Sequence, residues 1–196
     1  MSRKFLRVAK VGGSLFDFAP LPTALRSWLE GEPGVNVLVA GGGAFAEAVR
    51  QADLTFGMGS TTAHRLAIEA MRVSASVLSE LLPETRLLHS PAELSSSLVE
   101  SGVAVLDPSE MLTSPECRLP HRWDVTSDSI AAYVASGLQA HELVLFKSTS
   151  LPANVNRTQA AEAGLVDGYF PQASATIPIV RWVNLRGDPV TERPLR

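Results

Sequence analysis

The sequence contains a single cysteine, Cys117, and no hydrophobic run long enough to span a membrane. One cysteine cannot form an internal disulfide, and four scattered histidines do not make a zinc site. After the basic start Met1–Lys4, the first apolar stretch is interrupted by Arg7 and Lys10. These absences predict a cytoplasmic protein with no export signal and no membrane partner.

The chain also has little charge of either sign. Charged residues make up 19%, hydrophobic residues 45%, and the net charge is −3. This balance argues against both intrinsic disorder and a nucleic-acid-binding surface. Its 196 residues contain no internal repeat and are enough to bury a core. We therefore expect one domain over residues 1–196 and no nucleic-acid partner.

Short apolar runs, rich in β-branched residues, alternate along the chain with segments of helical period. This alternation predicts a mainly parallel sheet. Because the runs are apolar throughout, both faces of the sheet should be covered, which gives a three-layer α/β/α sandwich. The predicted strands are Phe5–Val11, Val35–Ala40, Arg86–His89, Val103–Leu106, Glu142–Lys147 and Ile177–Val183.

The longest predicted helix, Thr61–Leu82, ends at Pro83 and has an apolar face wide enough for burial on more than one side. That width predicts subunit packing, in a homodimer or a larger assembly. Two shorter helical faces are formed by Leu21, Leu25, Trp28 and Leu29 and by Phe45, Val49, Ala52 and Phe56. Further predicted helices are Pro91–Glu100, Asp124–Leu138 and Asn156–Gly164, and the predicted ligand-binding loops are Asp107–Arg122 and Ser148–Arg157.

Two glycine-rich turns each follow a predicted strand and precede a helical segment. The first is Gly12-Gly13-Ser14, just after Lys10, and the second is Gly41-Gly42-Gly43. Glycine lets backbone N–H groups converge on an anion, and the start of a helix adds unpaired N–H groups. The turns therefore indicate phosphate binding. A tight strand-to-helix connection, or close packing of a helix on a strand, would account for the same glycines.

Gly41, Gly43 and Ala46 also satisfy the dinucleotide-binding fingerprint in its alanine-ended form. That fold requires an acidic residue at the end of a second strand about 20 residues later. Here the corresponding stretch, Thr61–Glu69, lies inside the longest predicted helix, so a redox enzyme is the less favoured reading. The chain has neither the mononucleotide phosphate loop nor a protein-kinase catalytic loop. Phosphoryl transfer would need another scaffold.

Charged residues from three distant segments are predicted to meet at one edge of the sheet. Lys10 and Lys147 lie at the carboxyl ends of parallel strands, where ligands bind in open α/β sheets, and Asp128 lies in the first turn of a helix. A carboxylate between two ammonium groups can orient them around a transferring phosphoryl group. A capped helix and a solvated lysine are the plain alternatives. Trp123 and His64 are candidate substrate contacts, although a buried anchor and a core histidine would look the same.

The segments Val8–Ser14, Val39–Gly43, Thr126–Ala132 and Leu145–Lys147 resemble the amino acid kinase superfamily in order and spacing. This superfamily includes acetylglutamate, carbamate, uridylate and isopentenyl phosphate kinases. The resemblance implies an α/β/α fold, ATP with Mg²⁺, and in-line phosphoryl transfer to a small-molecule acceptor. It implies that Lys10 stabilises the transferring group, that Asp128 organises the lysines, and that Gly41, Gly42 and Gly43 face the acceptor. Nucleotide contacts would come from Gly12, Gly13, Ser14 and Lys147.

Two further segments, Ala63–Met71 and Trp123–Ser129, resemble the aminomethylfuran phosphate kinase branch of methanofuran synthesis. That branch implies a phosphorylated aminomethylfuran as acceptor, a diphosphate product and a role in one-carbon metabolism. The chain departs from many superfamily members after Lys147. It has Ser148–Pro152 in place of an aspartate-glycine pair, and it lacks a later glycine-glycine-methionine turn followed by lysine. The alternative is therefore a non-catalytic relative that binds a small molecule or an oxyanion.

Overall fold

A seven-stranded sheet forms the centre of the computed structural model, which describes residues 5–97 and 102–196. The strand order is β3-β4-β2-β1-β5-β6-β7, and every neighbouring pair is parallel except β6 and β7. The carboxyl ends of the central strands β1, β2 and β5 therefore meet at one edge. The strands are β1 Leu6–Val11, β2 Val35–Ala40, β3 Arg86–Leu88, β4 Gly102–Leu106, β5 Glu142–Lys147, β6 Ile179–Asn184 and β7 Thr191–Pro194.

Helices cover both faces of this sheet. Alternate strand residues point to opposite faces, so Val8 belongs to one core cluster and Ala9 to the other. The first cluster includes residues of α6, and the second includes residues of α1. The predicted three-layer sandwich is therefore confirmed. The helices are α1 Leu21–Glu30, α2 Gly43–Phe56, α3 Ser60–Leu81, α4 Pro91–Ser97, α5 Ser109–Thr113, α6 Ser127–Gly137, α7 Arg157–Glu162 and α8 Phe170–Ala173.

The structure corrects several element boundaries. The helix predicted from Asp124 begins only at Ser127, because the preceding residues form a turn. The last predicted strand, Ile177–Val183, begins two residues later and ends one residue later, and becomes β6. The predicted loop Asp107–Arg122 contains the short helix α5. Of the predicted helix Pro91–Glu100, residues 98–100 lie outside the described residues. The antiparallel strand β7 and the short helix α8 were not predicted.

Helix α3 is the longest helix of the described chain, and its apolar face is filled from within the chain. Ile68, Met71 and Leu78 are buried there against the sheet and neighbouring helices. Packing within the chain thus accounts for much of the width of this face, and subunit packing through α3 stays a prediction. Exposed apolar side chains lie on α3, where Val73 is 46% exposed, and on α2, where Phe45 is 44% exposed and Phe56 is 78% exposed. Among the helices that the structure describes, none combines the length and apolar character needed to cross a membrane.

Candidate active site

The two glycine turns pack directly against each other at the carboxyl edge of the sheet. The first continues the sheet through a bond from the N–H of Gly12 to the carbonyl of Phe146, and the second through a bond from Gly41 to Val11. A Cβ on Gly13 would lie 2.5 Å from the backbone nitrogen of Gly43, which itself has a φ of +53°. Any side chain at Gly13 would force the turns apart. Contact between the turns is therefore one reason for their glycines.

Lys10, Asp128 and Lys147 meet beside these turns, although they come from β1, α6 and β5. Nζ of Lys10 lies 2.9 Å from Oδ1 of Asp128, as an ion pair whose angles are not those of a hydrogen bond. Nζ of Lys147 donates a 2.7 Å hydrogen bond to Oδ2 of the same carboxylate. One aspartate thus holds two ammonium groups, as the sequence predicted. The side chains of Lys10 and Asp128 are only 5% and 6% exposed.

Burial and charge act in opposite directions on the pKa values of this cluster. Burial alone would raise the pKa of Asp128, but attraction to Lys10 and Lys147 outweighs it and holds the pKa of that carboxyl below its usual value. Burial, together with repulsion from Lys10, lowers the pKa of Lys147 to about 8, against the opposing attraction of Asp128. Asp128 is consequently ionised at neutral pH and is a poor base.

Asp167 fixes the start of α6 and was missed by sequence reasoning. Its Oδ2 accepts hydrogen bonds from the backbone N–H of Thr126 and of Ser129, each at 3.0 Å, and from the hydroxyl of Thr126 at 2.8 Å. Its Oδ1 accepts a short hydrogen bond from the hydroxyl of Ser129. A carboxylate at this position satisfies N–H groups that the helix leaves unpaired and interacts favourably with the helix dipole. Asp167 thereby positions Asp128, which lies between these partners.

The segment that follows β5 is tied to the first glycine turn and to the sheet. The hydroxyls of Ser14 and Ser148 lie 3.0 Å apart, and the indole N–H of Trp182 donates to the carbonyl of Thr149 at 2.8 Å. The ammonium of Lys147 also donates to the carbonyl of Leu165 at 2.8 Å and lies 5.1 Å from the centre of the Trp182 ring. The segment Ser148–Pro152, where the chain departs from the superfamily pattern, is therefore held in place next to Lys147 by these contacts.

A cavity of about 180 Å³ opens on the other side of the glycine turns, between α2, α3 and the start of α6. Gly13, Gly42, Gly43, Thr126 and Ser127 are among its lining residues, so the cavity borders the glycine turns at the carboxyl edge of the sheet. The middle of its wall is apolar and its mouth is charged. The apolar lining residues are Ala46, Ala67, Ile68, Met71, Val125 and Ile130, and the charged ones are Glu47, Arg50 and Arg122.

Two of the predicted substrate contacts that lie outside the glycine turns, His64 and Trp123, line this cavity. The indole N–H of Trp123 donates to Asp53 on α2 at 2.8 Å, and the guanidinium of Arg50 lies 4.3 Å from its ring centre. His64 is buried in α3 and stacks on the exposed His121, with ring centres 4.5 Å apart. The structure therefore brings His64, Trp123, Gly42 and Gly43 around one cavity, whereas Gly41, also a predicted substrate contact, is not among its lining residues. Of the predicted catalytic and nucleotide contacts, Gly13 lines the cavity, whereas Lys10, Gly12, Ser14, Asp128 and Lys147 are not among its lining residues.

The mostly parallel sheet, covered by helices on both faces, places the protein in the three-layer α/β/α class. The sequence model described as "Amino acid kinase family" matches residues 6–150, and the chain belongs to that family. A curated relative, the [5-(aminomethyl)furan-3-yl]methyl phosphate kinase of Methanocaldococcus jannaschii, is 30% identical over 141 residues. The match covers 71% of this chain and 64% of the relative, so the chain spans slightly less than two thirds of the relative's length.

Solved structures of two UMP kinases and a uridylate kinase share the fold. The UMP kinase from Ureaplasma parvum has a TM-score of 0.63 at 15% identity, covering 96% of this chain and 93% of its own. The enzyme from Bacillus anthracis has a TM-score of 0.64 at 10% identity, with 98% and 99% coverage. The uridylate kinase from Archaeoglobus fulgidus has a TM-score of 0.61 at 16% identity, with 89% and 88% coverage. At these identities the likeness concerns the fold alone.

Proposed function

We propose that this protein is an ATP-dependent kinase that transfers a phosphoryl group to a small-molecule acceptor. The observation that carries the proposal is the placement of two ammonium groups on one carboxylate, directly beside two glycine turns. Phosphoryl transfer depends mainly on positioning and on neutralising charge around the transferring group. Lys10 would stabilise that group, Lys147 would contact the nucleotide phosphates, and Asp128 would hold both lysines in place.

The electrostatics favour an acceptor that is already an anion. Asp128 has a lowered pKa and both its oxygens face ammonium groups, so it is not suited to remove a proton. A phosphate monoester has a second pKa of about 6 and is largely a dianion at pH 7, so its oxygen needs no general base. In the transfer, that oxygen forms a bond to the γ-phosphorus while the bond to the bridging oxygen breaks and ADP leaves. The product is a diphosphate.

The size and lining of the cavity favour a small, ring-containing acceptor. Its volume of about 180 Å³ is below the range of roughly 300–1,000 Å³ typical of pockets for drug-sized ligands. Ile68, Met71 and Ile130 offer an apolar wall, with Trp123 at the side. A phosphorylated aminomethylfuran, the compound in the name of the Methanocaldococcus jannaschii relative, has this size and character. We therefore propose it as the acceptor, in methanofuran-type cofactor synthesis.

Magnesium fits this site as a partner of the nucleotide. In residues 5–97 and 102–196, no group of three or more His, Cys, Asp or Glu side chains is arranged to hold a metal ion. Asp128 and Asp167 already accept bonds from protein donors. The site offers ammonium groups and backbone N–H groups, which suit polyphosphate oxygens. Mg²⁺ would therefore be bound mainly by the phosphates and water, and would neutralise their charge.

The direct test is ³¹P NMR of purified protein with ATP, Mg²⁺ and a panel of acceptors. The panel contains [5-(aminomethyl)furan-3-yl]methyl phosphate, UMP and isopentenyl phosphate. We expect a diphosphate product only from the furan. Lys10→Ala and Asp128→Asn should lower turnover much more than ATP affinity, because both act on the transferring group. Binding of ATP and Mg²⁺ without transfer to any acceptor would overturn the proposal.

That negative result would favour a non-catalytic member of the same family. One observation supports this second candidate: the ammonium of Lys147 is already engaged by Asp128 and by the carbonyl of Leu165. A redox function is disfavoured, since residues 61–69 lie inside α3 rather than at the end of a strand. Saturable NAD binding would be the sign of that function.

We also propose that the protein self-associates, with a second copy covering α2. None of the residues of α2 is buried, and Phe45, Leu54 and Phe56 leave much apolar surface in water. Phe56→Lys should shift the mass measured by analytical ultracentrifugation towards the monomer. Exposed Val190, at the far edge of the sheet, provides a control position for the same substitution. A monomeric wild-type protein at working concentration would contradict this proposal.

A further inference from the structure

One nitrogen in the cavity wall is buried and has no hydrogen-bond partner. It is Nε2 of His64, and the residue as a whole is only 7% exposed. A buried polar atom without a partner is unfavourable relative to one that is hydrogen-bonded, so native proteins contain few of them. Because His64 lines the cavity, a hydrogen-bond donor on a bound molecule is well placed to satisfy this nitrogen.

The surroundings of His64 keep its imidazole neutral. Burial, with repulsion from His121, lowers the pKa of His64 below its usual value. The two rings stack at an angle of 17°, so a second positive charge there would be unfavourable. A neutral imidazole protonated at Nδ1 presents a lone pair at Nε2. That lone pair suits a donor, and a positively charged donor most of all.

His64 lies at the far end of the cavity from the second glycine turn. Ser74, ten residues further along α3, contacts the carbonyl of Gly42 at 3.3 Å, and ten helical residues rise by about 15 Å. Met71 and Ile68 lie between them on the same helix and line the cavity. The turn, an apolar wall and the imidazole therefore follow one another along α3. A matching ligand has an anionic end, a flat apolar centre and a donor at the opposite end.

The carboxylate at the mouth of the cavity is less suited to bind such a donor. Glu47 is 57% exposed, lies 3.4 Å from the guanidinium of Arg50 and accepts a hydrogen bond from Gln51. The charge of Glu47 is thus exposed to water and already balanced by Arg50. The charge of Arg122 is likewise balanced by Asp124, at 3.0 Å. Of the cavity-lining residues, His64 is the one with a buried side-chain nitrogen that has no hydrogen-bond partner.

We infer that His64 determines acceptor specificity by accepting, at Nε2, a hydrogen bond from the protonated amine of the acceptor. This inference rests on the proposed kinase function and names the residue that recognises the aminomethyl group. His64 takes no part in moving a proton or a phosphoryl group. Its role is to select, among small ring phosphates, those that carry an amine at the end opposite the phosphate.

The test compares two acceptors in the wild-type protein and in two variants. The acceptors are [5-(aminomethyl)furan-3-yl]methyl phosphate and its analogue with methyl in place of aminomethyl. His64→Leu removes the hydrogen-bonding atom, whereas His64→Gln keeps one near the position of Nε2. His89→Gln, whose side chain is 54% exposed and lies outside the cavity lining, is the matched control. Binding without ATP is measured by calorimetry, and kcat/KM with ATP by ADP release.

We expect the wild-type protein to prefer the amine by about 10- to 100-fold, the range for a hydrogen bond to a charged group. His64→Leu should reduce this preference to within about threefold, His64→Gln should restore most of it, and His89→Gln should leave it as in the wild type. Thermal unfolding of each variant separates these effects from loss of folded protein. A merely structural role of His64 would weaken both ligands alike and leave the preference unchanged.

The outcomes separate this inference from the function on which it rests. If both furans are phosphorylated and the preference survives in His64→Leu, the inference is wrong and the kinase function stands. A wild-type protein that phosphorylates both furans equally would also overturn the inference. If neither furan is bound or phosphorylated, the proposed acceptor fails and the inference fails with it.

Discussion

Replacing Asp128 by asparagine removes one negative charge from between two ammonium groups with almost no change in shape. In the native protein the carboxylate lies 2.9 Å from Nζ of Lys10 and 2.7 Å from Nζ of Lys147. The substitution leaves two buried cations facing a neutral amide. Breaking a buried ion pair from one side costs about 3–5 kcal/mol, since the remaining charge is uncompensated. We expect a loss of about that size in the free energy of unfolding at pH 6.5.

The loss should depend on pH in a definite direction. The attraction of Asp128 raises the pKa of Lys147, so its removal takes that pKa below the native value of about 8. In the variant the folded state then binds fewer protons than the unfolded state already at neutral pH. Stability rises with pH wherever the unfolded state binds more protons. The variant therefore gains stability already from neutral pH upward. The wild type gains stability only as the pH approaches and passes the native pKa of about 8, so the difference between the two proteins shrinks between pH 6.5 and 8.5.

The measurement is urea unfolding of the wild type and of Asp128→Asn at pH 6.5 and 8.5. Lys147→Met, alone and combined with Asp128→Asn, completes a double-mutant cycle. With one cation gone, the asparagine should cost less, and the cycle should show a coupling of about 1–3 kcal/mol. A loss below about 1 kcal/mol at pH 6.5, with no coupling to Lys147, would refute the reasoning from the shared carboxylate.

Three further predictions concern single residues of the site. Lys147 should titrate near pH 8, which ¹³C-lysine NMR can resolve because the chain has only three lysines. We expect kcat/KM for ATP to fall above that pH. A titration of Lys147 near the usual 10.5 would contradict the lowered pKa. Gly13→Ala should reduce the free energy of unfolding by about 1–3 kcal/mol, because the added Cβ forces the glycine turns apart. The control Gly31→Ala should be tolerated, since its added Cβ meets only a backbone oxygen at 3.5 Å. Equal effects of the two substitutions would argue against the contact between the turns. Asp167→Ala should lower the free energy of chemical unfolding by about 1–2 kcal/mol, because the start of α6 loses its capping carboxylate. Asp124→Ala, which removes a carboxylate paired with Arg122, should cost less. Equal losses in the two variants would contradict the capping role of Asp167.

Much of the active-site edge was predictable because it follows from the parallel sheet. Carboxyl ends of parallel strands meet at one edge, so the strand pattern alone placed Lys10 and Lys147 near each other. Asp128 was found from the cluster of capping residues before a run of small residues. These signals are local in sequence, and the parallel topology brings the residues that carry them to one edge of the sheet. The same logic located both glycine turns.

The contacts that sequence reasoning missed join residues far apart in the chain without a local pattern. Asp167 caps a helix that begins 40 residues earlier, and His121 stacks on His64, which lies 57 residues earlier in the chain. Neither contact leaves a periodic trace. Strand β7 is exposed along its whole length and includes a proline, so its sequence lacks the apolar alternation of a strand. The start of α6 was placed three residues too early, because Asp124 lies in a turn and the helix begins only at Ser127.

The glycine turns show why a motif can be recognised correctly and explained only in part. Consecutive glycines were expected where backbone approaches an anion, yet Gly13 and Gly43 also approach each other, and a Cβ on Gly41 would lie 2.9 Å from the nitrogen of Gly13. The two explanations belong together. Turns that pack this closely fix the distance between the proposed nucleotide side and the proposed acceptor cavity, because neither turn can move without the other. In-line transfer requires that distance to be held, so close packing here serves the positioning on which the proposed chemistry depends.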